Sequence, residues 1–433
     1  MHKIFDKVDK AFDKAKSYVD EQQQQRHMGS SNQSQQSDQY NIPNQFQQPG
    51  SSQNQSQQPM GTWNQSQPPM NNSTRPVYPQ PGGPPGPGVL PLKVASSKYH
   101  DKMRFCHPKG HQHDILCDLG FSGVIDGKIV WTFGDTLMGT EEKNFICATD
   151  SIAIGNMTDP MTVCNTALYP GSDNVKEWIP PNEQEEADGG ISCYAYGGTN
   201  IVEYAPNQGL VYYLKIHRPG GVAKVHGAGV ATVRMNGNVP EATRAGDHMW
   251  NDCEPNWGDV GITYNSQDGM VYAYGHGPST DGELGARTYL CRAPAVQATD
   301  VNKYEYWNND KKEWTTARLA DGNFGSLKCE KEHCIFDWLA MNQAAPFWSN
   351  YYNKWMLLHG DSWAYSDVIA KTADKLEGPW TDHGVVATTK PEGHGDGFRY
   401  ACNGHPEFDP TGKTVLVTWT RNNVIWGVTI EWE

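Results

Sequence analysis

Five times between residues 121 and 421 the sequence repeats one pattern: a short apolar run, a tight polar turn, then a β-branched or aromatic run ending in polar residues or glycine. The copies are FSGVI-DG-KIVWTFGD (121–135), TNIVEY-APNQG-LVYYLKIH (199–217), DVGITY-NSQDG-MVYAYGHG (259–277), AAPFW-SNYYN-KWMLLHGDSW (344–363) and GHPEF-DPTG-KTVLVTWTR (404–421). Turns rich in Asp, Asn and Gly between apolar runs specify antiparallel hairpins, because these residues tolerate the positive φ that a tight turn needs. Each copy is followed by another strand-like run: DSIAIG, GVATVRM, RTYLCRA, DVIAKTA and VIWGVTIEW. No long stretch of helical periodicity lies between them. Repeated units of three or more antiparallel strands predict an all-β, five-bladed β-propeller over residues 93–433, since radial repetition closes a ring and protects strand edges. A two-sheet sandwich is the alternative, but it does not call for five similar hairpins.

The first 92 residues differ in kind. Residues 3–20 place Ile4, Val8, Phe12, Ala15 and Val19 at three- and four-residue steps, which predicts a short amphipathic helix over 1–20. Its other face mixes Lys with Asp, a pattern suited to a docking helix better than to a membrane surface. Residues 21–92 are dominated by Gln, Ser, Asn, Pro and Gly. With few aliphatic groups to bury, such a segment cannot offset its ordering entropy, and a disordered low-complexity linker is expected. Tyr40, Phe46, Trp63 and Tyr78, spaced along it, suit self-association or partner docking through the tail.

Charge narrows the partners. The net charge of −14 argues against nucleic acid, whose phosphates require a basic face. A neutral ligand such as a carbohydrate suits it better. No apolar run approaches the ~20 residues of a membrane span, and the first thirty residues lack a secretory apolar core. The expectation is a cytoplasmic or unconventionally exported protein. Asn156-Met157-Thr158 is a glycosylation acceptor only in a secreted protein. The ten cysteines form no metal-binding spacing; Cys329 and Cys334 are close enough in sequence to bridge in an oxidising compartment.

In a propeller, the start of the inner strand and the end of the second strand of every blade meet on one face. The first hairpin begins after Asp118 and ends at Asp135, so these two aspartates are expected side by side at a central funnel. The same rule sends there Asp150, Glu254, His276, Asp361, His405, Glu407 and Arg421, together with Asn200, His217, Asn256, Asp259, Asn342, Gln343, Asp367 and Asn403. Trp250, Trp257, Trp363 and Trp419 lie near these junctions. Carboxylates and amides bind sugar hydroxyls, and aromatic rings stack on apolar sugar faces. Glycoside hydrolysis needs two carboxyl groups across the scissile bond. Asp118 is expected as base or nucleophile, Asp135 or Glu254 as acid, and Asp150 as the charge that tunes the acid's pKa. Trp257, His276, Asp361, His405, Glu407 and Arg421 are the expected substrate contacts. A non-catalytic carbohydrate-binding or protein-docking propeller is the alternative, and a scaffold acting through its Gln-rich tail a third.

Cys106, His107, His111, His113 and Asp114 crowd into nine residues, but their spacing matches no standard zinc site, and a polar entry loop is expected. No metal or cofactor is called for, although a divalent ion near the axis is compatible with the funnel residues. GHGDG (393–397) reads as a loop over the funnel.

The WTFGDTL stretch, with DLGFSG before it and ATDSIAIG after it, resembles the domain of unknown function 4185 group. That group is similar to the five-bladed propeller glycoside hydrolases, such as arabinanases and fructan-cleaving enzymes. FWSNYYNKWMLLHGDS and GHPEFDPTGKTVLVTWTRN look like the same class. The resemblance, covering about 100–433, implies a propeller, hydrolysis of arabinan-type polysaccharides, and an acidic pair carried over to Asp118 and Asp135.

Overall fold

A computed structural model describes residues 76–219, 223–278, 287–320, 327–337, 343–361, 367–391 and 399–433. The helix over 1–20, the Gln-rich tract up to residue 75, Asn342, Trp363 and the GHGDG loop lie outside the described residues. All described residues belong to one unit, Pro69–Glu433.

Four of the hairpins read from the sequence are present at the expected runs, and the fifth has its first strand earlier, at Arg399–His405. In the first, Ile115–Ile125 pairs antiparallel with Lys128–Gly139 through a turn in which Asp126 has φ +49° and Gly127 φ +66°. The others join Val202–Ala205 to Gln208–His217, Asn256–Asn265 to Met270–His276, Phe347–Ser349 to Lys354–Gly360, and Arg399–His405 to Thr414–Arg421. Each hairpin gains a third antiparallel strand at the predicted run: Ser151–Gly155, Lys224–Asn236, Thr288–Pro294, Asp367–Ala373 and Val424–Trp432. The result is all-β and propeller-like, with five sheets of four to seven strands and one two-stranded ribbon among the described residues.

Neighbouring sheets meet at and beside the first strands of their hairpins. Thr132 of the first donates to the Thr199 carbonyl of the second at 2.8 Å. Asn200 of the second bonds both the N–H (2.9 Å) and the carbonyl (2.7 Å) of Ile262 in the third. The Ala344 amide donates to Val260 of the third sheet at 2.6 Å just before the fourth begins. The fourth and fifth share one apolar cluster, with Phe347, Met356 and Leu358 against Cys402, Val415 and Val417. The fifth returns to the first where His405 meets Ser122 at 2.5 Å.

The chain from residue 76 to the first strand runs along the hairpin ends. The Gln80 side chain accepts from the Ser266 amide at 2.9 Å, at the third hairpin turn. The Gly88 amide donates to Tyr351 at 2.9 Å, at the fourth. Val94–His100 then pairs with Val424–Trp432 as the outer strand of the last sheet. Tyr78 packs against the clusters of both the first and fifth sheets. With Val77 it lines a cavity of about 320 Å³ among Val124, Ile201 and Tyr264.

No helix of the described residues is long and apolar enough to cross a membrane.

Candidate active site

The sequence places Asp118 and Asp135 on paired strands, and a bulge decides how they face. Cys117 pairs with Thr136 and Leu119 with Phe133, so Asp118 alone opposes Gly134 and Asp135. Leu119 (φ +68°) and Gly120 (φ +73°) are both left-handed. A non-glycine residue held there costs of order 1 kcal/mol, and bulges of this kind re-aim a side chain. The Asp118 Oδ1 is enclosed and has no hydrogen-bond partner. A Cβ on Gly134 would stand 2.2 Å from that oxygen, so only glycine leaves room for the carboxyl. Burial above all, and then the charge of Asp135, push the Asp118 pKa up to about 7, against the lowering effects of Tyr400 and Arg218.

Tyr400 reaches Asp118 from the fifth sheet, its hydroxyl donating to Oδ2 at 3.0 Å. Its strand carries the same device: Ala401 has φ +56°, and the ladder slips between Tyr400 and Asn403. Arg218, just beyond Gln208–His217 of the second sheet, grips Asp135 with both guanidinium ends, Nη1 to Oδ2 and Nη2 to Oδ1, each at 2.9 Å. Its amide is tied to the Cys193 carbonyl at 2.7 Å. Three sheets therefore converge on two carboxyl groups: one is buried and holds its proton close to neutrality, the other is held in a bidentate ion pair. Neither Arg218 nor Tyr400 was read from the sequence. Arg218 is one residue past the nominated His217, so a one-residue tolerance on the strand end would have found it.

The other nominated residues are placed as follows. Asp150 is buried and accepts from the Ile179 amide at 2.8 Å, anchoring the segment after the first sheet; burial pushes its carboxyl well above the usual range. Glu254 is fully buried and clamped by Arg318, Nε at 2.8 Å and Nη2 at 2.6 Å, while accepting from the Asn251 amide. It closes its own loop. Trp257 is fully buried against Trp250 and Tyr306, and Trp419 is likewise interior, so neither offers a ring face to a ligand. His276 bonds Asp259 at 3.0 Å at the start of the third inner strand. The Asp361 amide closes onto the Asp367 carbonyl at 3.0 Å, at the end of the fourth sheet's second strand. Arg421, at the corresponding end in the fifth, lies 5.2 Å over the Trp426 ring.

His405 and Glu407 are placed differently from the expectation. The inner strand of the fifth sheet is Arg399–His405, and Pro406–Phe408 is a 3₁₀ turn, because proline cannot donate to the ladder. The sequence pattern took this strand to begin near 404. His405 and Glu407 thus sit at the end of the strand remote from Tyr400 and Asp118. Both are fully buried around Ser122, whose hydroxyl meets His405 Nδ1 and Glu407; His405 Nε2 meets Thr418 at 2.7 Å. Burial brings His405 down to about 3 and Glu407 up to about 7.

The His-rich loop comes together with a partner the sequence did not suggest. His107, His111 and Asp173 bring ligand-type atoms within 4.8 Å of one another. Yet His107 Nδ1 accepts from the Lys109 amide at 3.0 Å, which puts the ring proton on Nε2, 3.2 Å from Asp173 Oδ1. The Lys109 ammonium meets the same oxygen at 3.3 Å. The His107 Nδ1 lone pair is thus engaged, and the Lys109–Asp173 ion pair ties the loop down. No disulfide joins any of the ten cysteines, Cys329 and Cys334 included.

Fold and site define an all-β, propeller-like protein with a carboxyl pair at the edge where the inner strands begin. The chain belongs to the family described as Domain of unknown function (DUF5005), whose model matches residues 117–426; the 4185 group suggested by the WTFGDTL stretch is not the family found. No curated protein matches the sequence. Solved structures similar to it include a GH43_1 enzyme from Xanthomonas citri (8% identity, 73% of this chain and 87% of that one, TM-score 0.39). Others are a glycosyl hydrolase from Bacteroides ovatus (11%, 83% and 95%, 0.38) and endo-1,5-alpha-L-arabinanase from Thermotoga petrophila RKU-1 (11%, 73% and 71%, 0.39).

Proposed function

We propose that the five sheets are the five blades of one closed ring and that the protein is a glycoside hydrolase acting on a polysaccharide at the Asp118–Asp135 edge. One observation carries this reading: a carboxyl group that keeps its proton near neutrality stands beside a carboxylate fixed by an arginine fork. A carboxyl group that keeps its proton, beside a second carboxyl group, is what acid-assisted glycoside cleavage requires. The environments favour the reverse of the roles expected from sequence. Asp118, protonated, donates to the leaving oxygen as the C–O bond breaks. Asp135 acts at the anomeric carbon, either by activating the water that completes hydrolysis or by direct attack. Asp150 and Glu254 hold loops. A binding module needs aromatic faces and hydrogen-bonding groups, and of the tryptophans expected near the funnel Trp250, Trp257 and Trp419 are interior.

The test is sugar release by the full chain from arabinans, fructans, galactans and cell-wall glucans, beside its Asp118→Asn and Asp135→Asn variants. Release by the parent, reduced at least a hundredfold in each variant, is the expected result. Equal release by parent and variants refutes the assignment. Retention of a glycan without release moves the protein to the binding class.

A further inference from the structure

We infer that Tyr400, backed by Asn423, is the positioning residue that dedicates Asp118 Oδ1 to carrying the exchangeable proton; this rests on the hydrolase reading above.

A phenol has one proton to give. The Tyr400 oxygen lies 3.0 Å from Asp118 Oδ2 and 3.2 Å from the Asn423 side-chain amide. The amide can turn its NH2 toward the phenol, since its O and N are interchangeable in position. In that orientation Asn423 donates to Tyr400, and Tyr400 donates to Asp118 Oδ2. Oδ2 is thereby an acceptor, so the carboxyl's own proton belongs on Oδ1. That oxygen is enclosed, fills the space that Gly134 leaves, and is met by no side-chain donor. A proton held there has no hydrogen-bonded acceptor among the described residues.

The backbone supports a dedicated arrangement. Asp118 and Tyr400 each precede a non-glycine residue in the left-handed region, Leu119 and Ala401, at a break in the ladder. Asn423 is held in place by the two-residue turn Asn422-Asn423, where both residues have positive φ. Unfavourable backbone geometry beside two contacting residues, one on each sheet, is the pattern of a site whose side-chain directions matter.

The groups facing Asp118 are Asp135 and the neighbouring Cys117 on its own sheet, Arg218 from the second sheet and Tyr400 from the fifth. Of these, Tyr400 and Arg218 favour the ionised form. When Asp118 gives up its proton, the phenol stabilises the carboxylate that remains. Tyr400 touches no reacting atom in this scheme; it acts through Asp118.

The experiment is Tyr400→Phe in the full chain, which removes one hydroxyl and keeps the ring. The first readout needs no substrate: titration of the Asp118 carboxyl by infrared or 13C NMR, its signal identified by its loss in Asp118→Asn. We expect the midpoint to rise by about one pH unit in Tyr400→Phe, and by less in Asn423→Gly, which keeps the left-handed turn. An unchanged or lowered midpoint in Tyr400→Phe overturns the inference. The second readout uses whichever glycan the parent cleaves. The alkaline limb of its pH profile should move upward with the midpoint, and kcat should fall about tenfold with KM unchanged. An unmoved limb and kcat overturn the positioning role even if the titration shifts. If no glycan is cleaved, the hydrolase reading fails by itself, while the titration still decides whether Tyr400 governs the Asp118 proton.

Discussion

Asp118 is set apart by its surroundings. An aspartate in water is ionised above about pH 4. Here the proton stays to about pH 7, chiefly because the ionised form would lose its hydration. The consequence for stability has a definite sign. Between about pH 4 and pH 7 the folded state binds more protons at this position than the unfolded chain, so stability falls as pH rises through that window. Removing the titration by Asp118→Asn should therefore raise Tm relative to the parent at pH 8, by an amount worth about 1–3 kcal/mol, with little difference at pH 4. Differential scanning calorimetry at the two pH values checks this, and an equal difference at both would contradict the burial of the carboxyl. Gly134→Ala attacks the same site from behind. Its Cβ would lie 2.2 Å from Oδ1 and 3.1 Å from Leu119. We expect a loss of about 1–3 kcal/mol, read as a shift of the urea midpoint, and a displaced Asp118 titration.

At the level of elements, the hairpins followed from local rules and the bulges did not. The Asp126-Gly127 turn declares itself in the sequence, because few other residue pairs accept positive φ twice in succession. The pairing of Asp118 with Asp135 is its direct consequence. Leu119 and Ala401 are ordinary apolar residues in apolar runs, and nothing local announces that each adopts positive φ. Those conformations are imposed by what packs on either side. Arg218 and Tyr400 contact the pair from 83 and 282 residues away in sequence, beyond the reach of any pattern along the chain. The contacts between sheets are of the same non-local kind. Asn200 is almost fully buried and satisfies both backbone groups of Ile262 in the next sheet. Asn200→Leu should leave a buried N–H and C=O unpaired and cost about 2–4 kcal/mol, measured by denaturant unfolding; a cost below 0.5 kcal/mol would show that the two inner strands do not depend on this bridge.

At the scale of the whole molecule, the segment 76–93 belongs with the sheets. Its composition, rich in Pro and Gly, gave no reason to expect ordered contacts. It nevertheless bonds two hairpin turns, places Tyr78 between two apolar clusters, and delivers Val94–His100 to the edge of the last sheet. A chain beginning at residue 76 should keep these contacts, whereas one beginning at residue 94 should lose them and melt at least several degrees lower. Calorimetry on the two truncations decides the point, and equal melting would mean that the segment merely rests on the surface.

Read without coordinates, the chain determines its class, its hairpins and the adjacency of Asp118 and Asp135, because turn chemistry and period-two alternation act over a few residues. Only the tertiary structure decides which of the two carboxyl groups keeps its proton, which residues hold them, and that His405 and Glu407 belong to a separate buried cluster. Desolvation, ion pairing and the direction of a bulged side chain are set by groups that approach from other sheets, and the free energy of a charge depends on everything that surrounds it.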